Sequence, residues 1–165
     1  MKATGEDVRV KVADYAVRKG GETIVTIGLG SCVAIALYDQ ESRVGGLAHI
    51  LLPNKSMSRE TLNPAKFPET IVPLMLDEMR RLGVRDPSRI GAKIIGGASM
   101  FAQLIVGTGI NVGERNVLAT KEVLASAGIP LLAEDTGLDY GRSVYFHLTN
   151  GRVDVRSLKR GNRVL

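Results

Sequence analysis

The chain has 165 residues, 22 basic against 17 acidic groups, one Cys, two His and no Trp. That length suits one domain over residues 1–165, and 44% apolar with 24% charged residues excludes a largely disordered chain. A single Cys excludes an internal disulfide framework and a thiolate-rich zinc site, and it fits a reducing cytosol, so a cytoplasmic protein is expected. The acidic residues near the N-terminus exclude a signal peptide. The longest uncharged stretch, Ile94 to Gly113, carries five Gly and several polar side chains, a poor membrane span. From Arg142 to Leu165 six basic residues face the single Asp154, which accounts for the whole net charge of +5. No aromatic platform follows Phe146. The basic end therefore reads as a partner for an acidic protein surface or as a solvated face, and not as a nucleic-acid site.

The elements follow in order. Val8, Val10 and Val12 alternate with Arg9 and Lys11, a half-exposed strand. Thr23–Leu29 and Ser31–Tyr38 are β-branched apolar runs, and Val44–Leu52 is a third buried strand stopped by Pro53. Residues 53–68 form a polar loop with three Pro. Residues 68–82 predict a helix with Ile71, Leu74, Met75, Met79 and Leu82 inward, although Pro73 is awkward inside it. Ile90–Ile95 is a strand, and Glu114–Ala127 is a second helix with Val117, Leu118, Val123 and Leu124 inward. Pro130–Ala133 is a short strand. Ser143–Leu148 and Arg152–Leu158 form a hairpin around Asn150-Gly151, a type I′ signal. Seven or eight strands joined by short turns, with two helices, predict an α+β layered sandwich of mainly antiparallel or mixed sheet.

Thr26-Ile27-Gly28-Leu29-Gly30-Ser31-Cys32 is the most informative segment. A lone thiol after two glycines is a candidate nucleophile, and the backbone N–H groups around Gly30, Ser31 and Cys32 suit an oxyanion site. A free Cys is also among the most often buried residues, where it merely packs. The thiol needs a base, and only His49 and His147 are available. His147 alternates out of phase with Val144, Phe146 and Leu148, so it faces solvent. His49 lies in an apolar strand, as a base or as a hydrogen-bonded core imidazole. If strands 31–38 and 44–52 pair with positions summing to 81, Cys32 sits opposite His49, and the two could form thiolate and imidazolium. A one-residue slip would separate them onto opposite faces. Thr26 has a hydroxyl that could orient the imidazole.

These residues, with Gly45-Gly46-Leu47-Ala48-His49, Leu52-Pro53, Gly96-Gly97-Ala98, Gly113-Glu114-Arg115-Asn116, Asp135-Thr136-Gly137 and Gly141-Arg142, resemble the chemoreceptor glutamine deamidase family, CheD. The resemblance runs in order through nearly the whole chain. It implies a cytosolic enzyme that converts receptor glutamines to glutamates, with Cys32 as nucleophile, His49 as base and Thr26 as the orienting third member, on a layered α/β sandwich. It implies the receptors' cytoplasmic helical domains as partners and, in many bacteria, a chemotaxis phosphatase of the CheC type. Two positions depart from the family's pattern: Lys66-Phe67 replaces an Arg-Tyr pair, and Leu138 stands where a second Gly is common.

The reading that follows is a cysteine-dependent protein glutamine deamidase without cofactor or metal, able to open glutamyl methyl esters as a side activity. Its rival is a non-catalytic regulator that binds a receptor or phosphatase. Two weaker patterns stand beside these: a broken dinucleotide-type loop over Gly107–Gly113, and the carboxylates Glu134, Asp135 and Asp139 as a cation site.

Overall fold

A computed structural model describes residues 7–100 and 111–165. The strands are β1 (Val8–Arg9), β2 (Asp14–Lys19), β3 (Thr23–Leu29), β4 (Val33–Asp39), β5 (Val44–Ile50), β6 (Gly91–Gly96), β7 (Leu131–Thr136), β8 (Arg142–His147), β9 (Val153–Ser157) and β10 (Gly161–Val164). The helices are α1 (Pro68–Arg81) and α2 (Val112–Ser126). One five-stranded sheet runs β1-β3-β8-β9-β10 and the other β2-β5-β4-β6-β7. Both are mixed, because β1–β3 and β6–β7 are parallel and the remaining pairs antiparallel. The α+β layered class expected from the sequence is the observed one.

Strand periodicity builds three layers from these elements. On β4, Val33, Ile35 and Leu37 join the apolar cluster that includes Ile71, Val72, Met75 and Met79 of α1 and Val117 and Leu124 of α2. The alternate residues Ala34 and Ala36, with Cys32 ahead of them, join the cluster between the two sheets, against Ile24, Leu29, Val144 and Phe146. The central strand is thus buried on both faces, which is why it reads as a continuous apolar run. Ile71, Val72, Met75 and Met79 each contribute about 1.5–3 kcal/mol of apolar burial.

Several sequence expectations change for local reasons. Strand β2 is missing from the sequence reading because Asp14–Lys19 lacks strict alternation; its residues pair with β5 all the same. The basic end carries β9 and an additional strand, β10, which complete the first sheet. Pro73 lies inside α1 on its exposed side, so the helix begins at Pro68 without a shift. Leu118 and Leu82 are exposed, and Asn116, Thr120 and Val72 take inward positions instead. The hairpin after β8 is not a type I′ turn. Leu148 is fully buried, so the chain runs on to a loop closed between His147 and Arg152, and only Gly151 has a positive φ.

The two sheets are also bridged by charge. Arg142 on β8, with a fully buried side chain, places Nε and Nη2 each 3.1 Å from Oδ1 of Asp135 on β7. Its Nη1 donates to the Gly137 carbonyl at 3.0 Å, and the guanidinium lies 4.1 Å from the centre of the Tyr140 ring. Leu138, between these partners, has φ 60, a left-handed conformation that a Gly would adopt freely. Replacing Arg142 by Met leaves the buried Asp135 carboxylate only the more exposed Arg163, 3.5 Å from its Oδ2, and urea denaturation is expected to show a loss of about 3 kcal/mol. Leu138→Gly is expected to gain about 1 kcal/mol in the same assay, because it relieves the positive φ.

Candidate functional site

The chain crosses from the first sheet to the second in three residues, Gly30, Ser31 and Cys32. Their backbone is held on several sides. Ala98 N–H donates to the Gly30 carbonyl at 2.9 Å, and Gly97 N–H to the Cys32 carbonyl at 2.8 Å. Asn116 of α2 donates from Nδ2 to the Ser31 carbonyl at 2.9 Å. Gly96, at φ 110, allows this approach, since a Cβ there would collide with the Cys32 carbonyl. Just before the crossing, Gly28 takes φ 78 at a bulge where three β3 steps, Thr26 to Leu29, face two β8 steps, Val144 to Arg142. The extra residue changes the inward parity, so that Thr26 and Leu29 both point into the interior.

Thr26 and His49 meet between the sheets. His49 is fully buried on β5, on the same face as Leu47, and its Nδ1 lies 2.7 Å from Thr26 Oγ1. The same hydroxyl donates to the Val10 carbonyl at 2.7 Å. With its one proton committed to Val10, the hydroxyl accepts from His49, so Nδ1 carries the imidazole proton and Nε2 keeps its lone pair. Nε2 is buried and has no hydrogen-bond partner among the described residues.

The β4–β5 register pairs Ala34 with His49 and Asp39 with Val44, positions summing to 83, not 81. The turn sets this shift. Asp39 Oδ2 accepts from Ser42 N–H and Oγ, and Arg43 closes the loop at φ 54, so Asp39 is the last paired residue. A two-residue shift preserves the face. Cys32, one residue ahead of the ladder, thus stays on the face of His49 but is not directly opposite it.

The electrostatics differ from a preformed ion pair. Burial pushes the Cys32 thiol above its ordinary value, partly offset by the residue's own backbone N–H, which favours the thiolate. Burial holds His49 down at about 4. Thiol and imidazole are therefore both neutral at neutral pH. His147 is half-buried on the outer face of its sheet, between Thr23 Oγ1 at 3.2 Å and Asp154 Oδ2 at 3.0 Å, on the other side of its strand from the interior that holds His49.

The remaining sequence candidates separate. Asp135 pairs with Arg142, Glu134 with Lys121 at 2.9 Å and Asp139 with Lys159 at 2.9 Å, so each carboxylate has its own cation. Most of the Gly107–Gly113 segment lies outside the described residues; its end is the start of α2, where Asn111 Oδ1 accepts from Glu114 N–H. A cavity of about 690 Å³ opens beside the bulge, with Ile27, Gly28, Tyr145, Arg156 and Lys159 among its walls, but Cys32 and His49 do not line it. Phe67 is buried at the head of α1, while Lys66 turns outward to Ser58 and Glu60. Sequence reading missed Asn116. Its position amid the inward face of an amphipathic helix was the available signal.

The buried neutral imidazole makes folding acid-sensitive. The unfolded chain binds a proton at His49 near 6.5 and the folded chain only near 4. Stability is therefore full above 6.5 and falls as the pH drops from 6.5 toward 4, by about 3 kcal/mol in all. Urea titrations of wild type and His49→Gln across this window are expected to show a smaller acid loss in the variant.

The chain matches the family described as CheD chemotactic sensory transduction over residues 51–157. It is 43% identical over 152 residues to a probable chemoreceptor glutamine deamidase CheD of Desulforamulus reducens, covering 92% of this chain and 91% of that one. It is 45% identical over 154 residues to a protein of the same name from Caldanaerobacter subterraneus, covering 93% and 94%. Both alignments are long enough to run through Thr26, Cys32 and His49, which lie ahead of the family match. A solved structure, Bacillus licheniformis hypothetical protein YfiH, overlaps 76% of the chain and 51% of its own length at 17% identity with a TM-score of 0.49, too loose a likeness to carry an argument. Among the described residues no helix is long and apolar enough to cross a membrane. Matched by the family over most of its length, and by relatives over nine-tenths of it, the chain belongs to the CheD family.

Proposed function

We propose that this chain is a cysteine-dependent deamidase that converts glutamine side chains of chemoreceptors to glutamate. The names of its relatives support the substrate class. The observation that carries the chemistry is the hydrogen-bond chain from His49 Nδ1 to Thr26 Oγ1 to the Val10 carbonyl, which leaves an unpartnered Nε2 buried on the face of Cys32.

Cys32 Sγ attacks the carboxamide carbon while its proton passes to His49 Nε2. The neutral resting pair fits this order, since the thiolate forms as the bond forms. The carbonyl oxygen takes the negative charge and is met by backbone N–H groups of the Gly30–Cys32 crossing. Collapse breaks the C–N bond, and the leaving amine takes the His49 proton and departs as ammonia. The resulting thioester is attacked by water, which gives a proton to His49. The C–S bond then breaks, the thiol regains its proton, and the side chain leaves as glutamate. Thr26 holds the imidazole in one tautomer throughout and stabilises the transient imidazolium through its oxygen.

Mass spectrometry of receptor peptides tests this reading. Wild type is expected to convert specific glutamines, and Cys32→Ala to convert none while folding normally. His49→Ala is expected to lose about 100-fold or more in turnover. Thr26→Val is expected to lose about tenfold, with Thr26→Ser retaining most activity. His147→Ala is expected to behave as wild type. Because His49 titrates near 4, the acid limb of kcat/KM is expected near that pH and not near 6.5. A binding regulator would instead leave all receptor glutamines unchanged in wild type.

A further inference from the structure

We propose that Asn116 is a positioning residue, which holds Cys32 and His49 in working alignment by clamping the two strand ends that carry them. This role rests on the reading of Cys32 and His49 as the reacting pair.

The last β4–β5 ladder pair is Val33 with Ile50, and the two chains separate beyond it. Leu51 N–H turns to the Lys66 carbonyl. Asn116 bridges the gap. Its Nδ2 donates one hydrogen to the Ser31 carbonyl at 2.9 Å and the other to the Leu51 carbonyl at 3.1 Å. The two groups held are the peptide before Cys32 and the residue two beyond His49. Since both partners are carbonyls, only the NH2 end can face them, so the amide orientation is determined by chemistry.

The Ser31 carbonyl shares its planar trans peptide with the Cys32 N–H, and the two point in opposite directions. Fixing the carbonyl toward Asn116 fixes where the Cys32 N–H aims. That N–H is the group that favours the Cys32 thiolate and one of the donors proposed for the oxyanion. A single amide on α2 thereby sets both the nucleophile's peptide plane and the spacing of its strand from that of His49.

Asn116 is fully buried, and both of its side-chain hydrogen bonds among the described residues run from the NH2 end to the two strand ends. The helix reaches the crossing because Gly113, one turn earlier, touches the backbone of Gly97 and Ala98 with no room for a Cβ.

The test compares Asn116→Leu with Leu124→Ala, which weakens α2 packing without touching the clamp. Asn116→Ser replaces the Leu variant if that chain does not fold. Two readouts are taken: steady-state kinetics on a receptor fragment, and the pH profile of Cys32 alkylation by iodoacetamide. The Asn116 variant is expected to lose about 10- to 100-fold in kcat, with KM within about twofold of wild type. Its alkylation profile is expected to move to higher pH, because the Cys32 N–H is no longer held. Leu124→Ala is expected to lower Tm while keeping kcat per folded molecule and the alkylation profile. Wild-type kcat and profile in a folded Asn116 variant would overturn the proposal, as would an equal kcat loss in Leu124→Ala at equal Tm. Alkylation needs no receptor, so the two readings fail separately. A wild type that spares every receptor glutamine, beside a shifted profile in the variant, rejects the deamidase and keeps the clamp. An active wild type with an unshifted, fully active variant does the reverse.

Discussion

An imidazole buried between two β-sheets must find a partner there, and His49 finds it on the opposite sheet. The Thr26 hydroxyl comes from β3, the imidazole from β5, and the terminal acceptor is the Val10 carbonyl, where the chain passes from β1 toward β2. Three segments are thus tied through one oxygen. Unpaired, that polar group would cost the fold about 1–3 kcal/mol. Paired, it selects one tautomer and leaves the second nitrogen available. The interaction that makes the interior tolerable also fixes the lone pair that the proposed mechanism uses as a base.

The same economy governs the crossing that carries Cys32. A chain changing sheets in three residues cannot use ladder hydrogen bonds, so its carbonyls need other donors. Gly97 and Ala98 provide two from the end of β6, and Asn116 provides a third from α2. Gly96 and Gly113 are glycines because a Cβ at either would strike backbone. The helix layer, which makes its apolar contacts with the far side of the second sheet, therefore reaches the thiol through polar contacts at the end of that sheet. Arg142 and Asp135 brace the neighbouring edge, joining β7 to β8 next to the bulge that follows Thr26.

Burial has a further chemical consequence. It raises the thiol and lowers the imidazole, opposing charge on both. A thiol held neutral in this way reacts slowly with electrophiles at neutral pH, because little of it is ionised.

The amino-acid sequence by itself determined the elements whose signals are local. The apolar runs 31–38 and 44–52 specified two strands, the 3.6-residue spacing specified α1 and α2, and a sole Cys with two His left few candidates for chemistry. It also showed that Cys32 and His49 could share a face, because an even register shift preserves parity. Only the tertiary structure decided the register itself, since Asp39 and Ser42 stop the turn through a side-chain contact that hydropathy does not encode. Only it brought Thr26 to Nδ1, because that bond depends on how two sheets stack. Asn116 belongs to the same class. A polar residue amid an apolar helical face looks like an exception until the strand ends it holds, 65 and 85 residues away, are in place. Contacts within an element can be read from spacing, whereas contacts between layers exist only after the layers have packed.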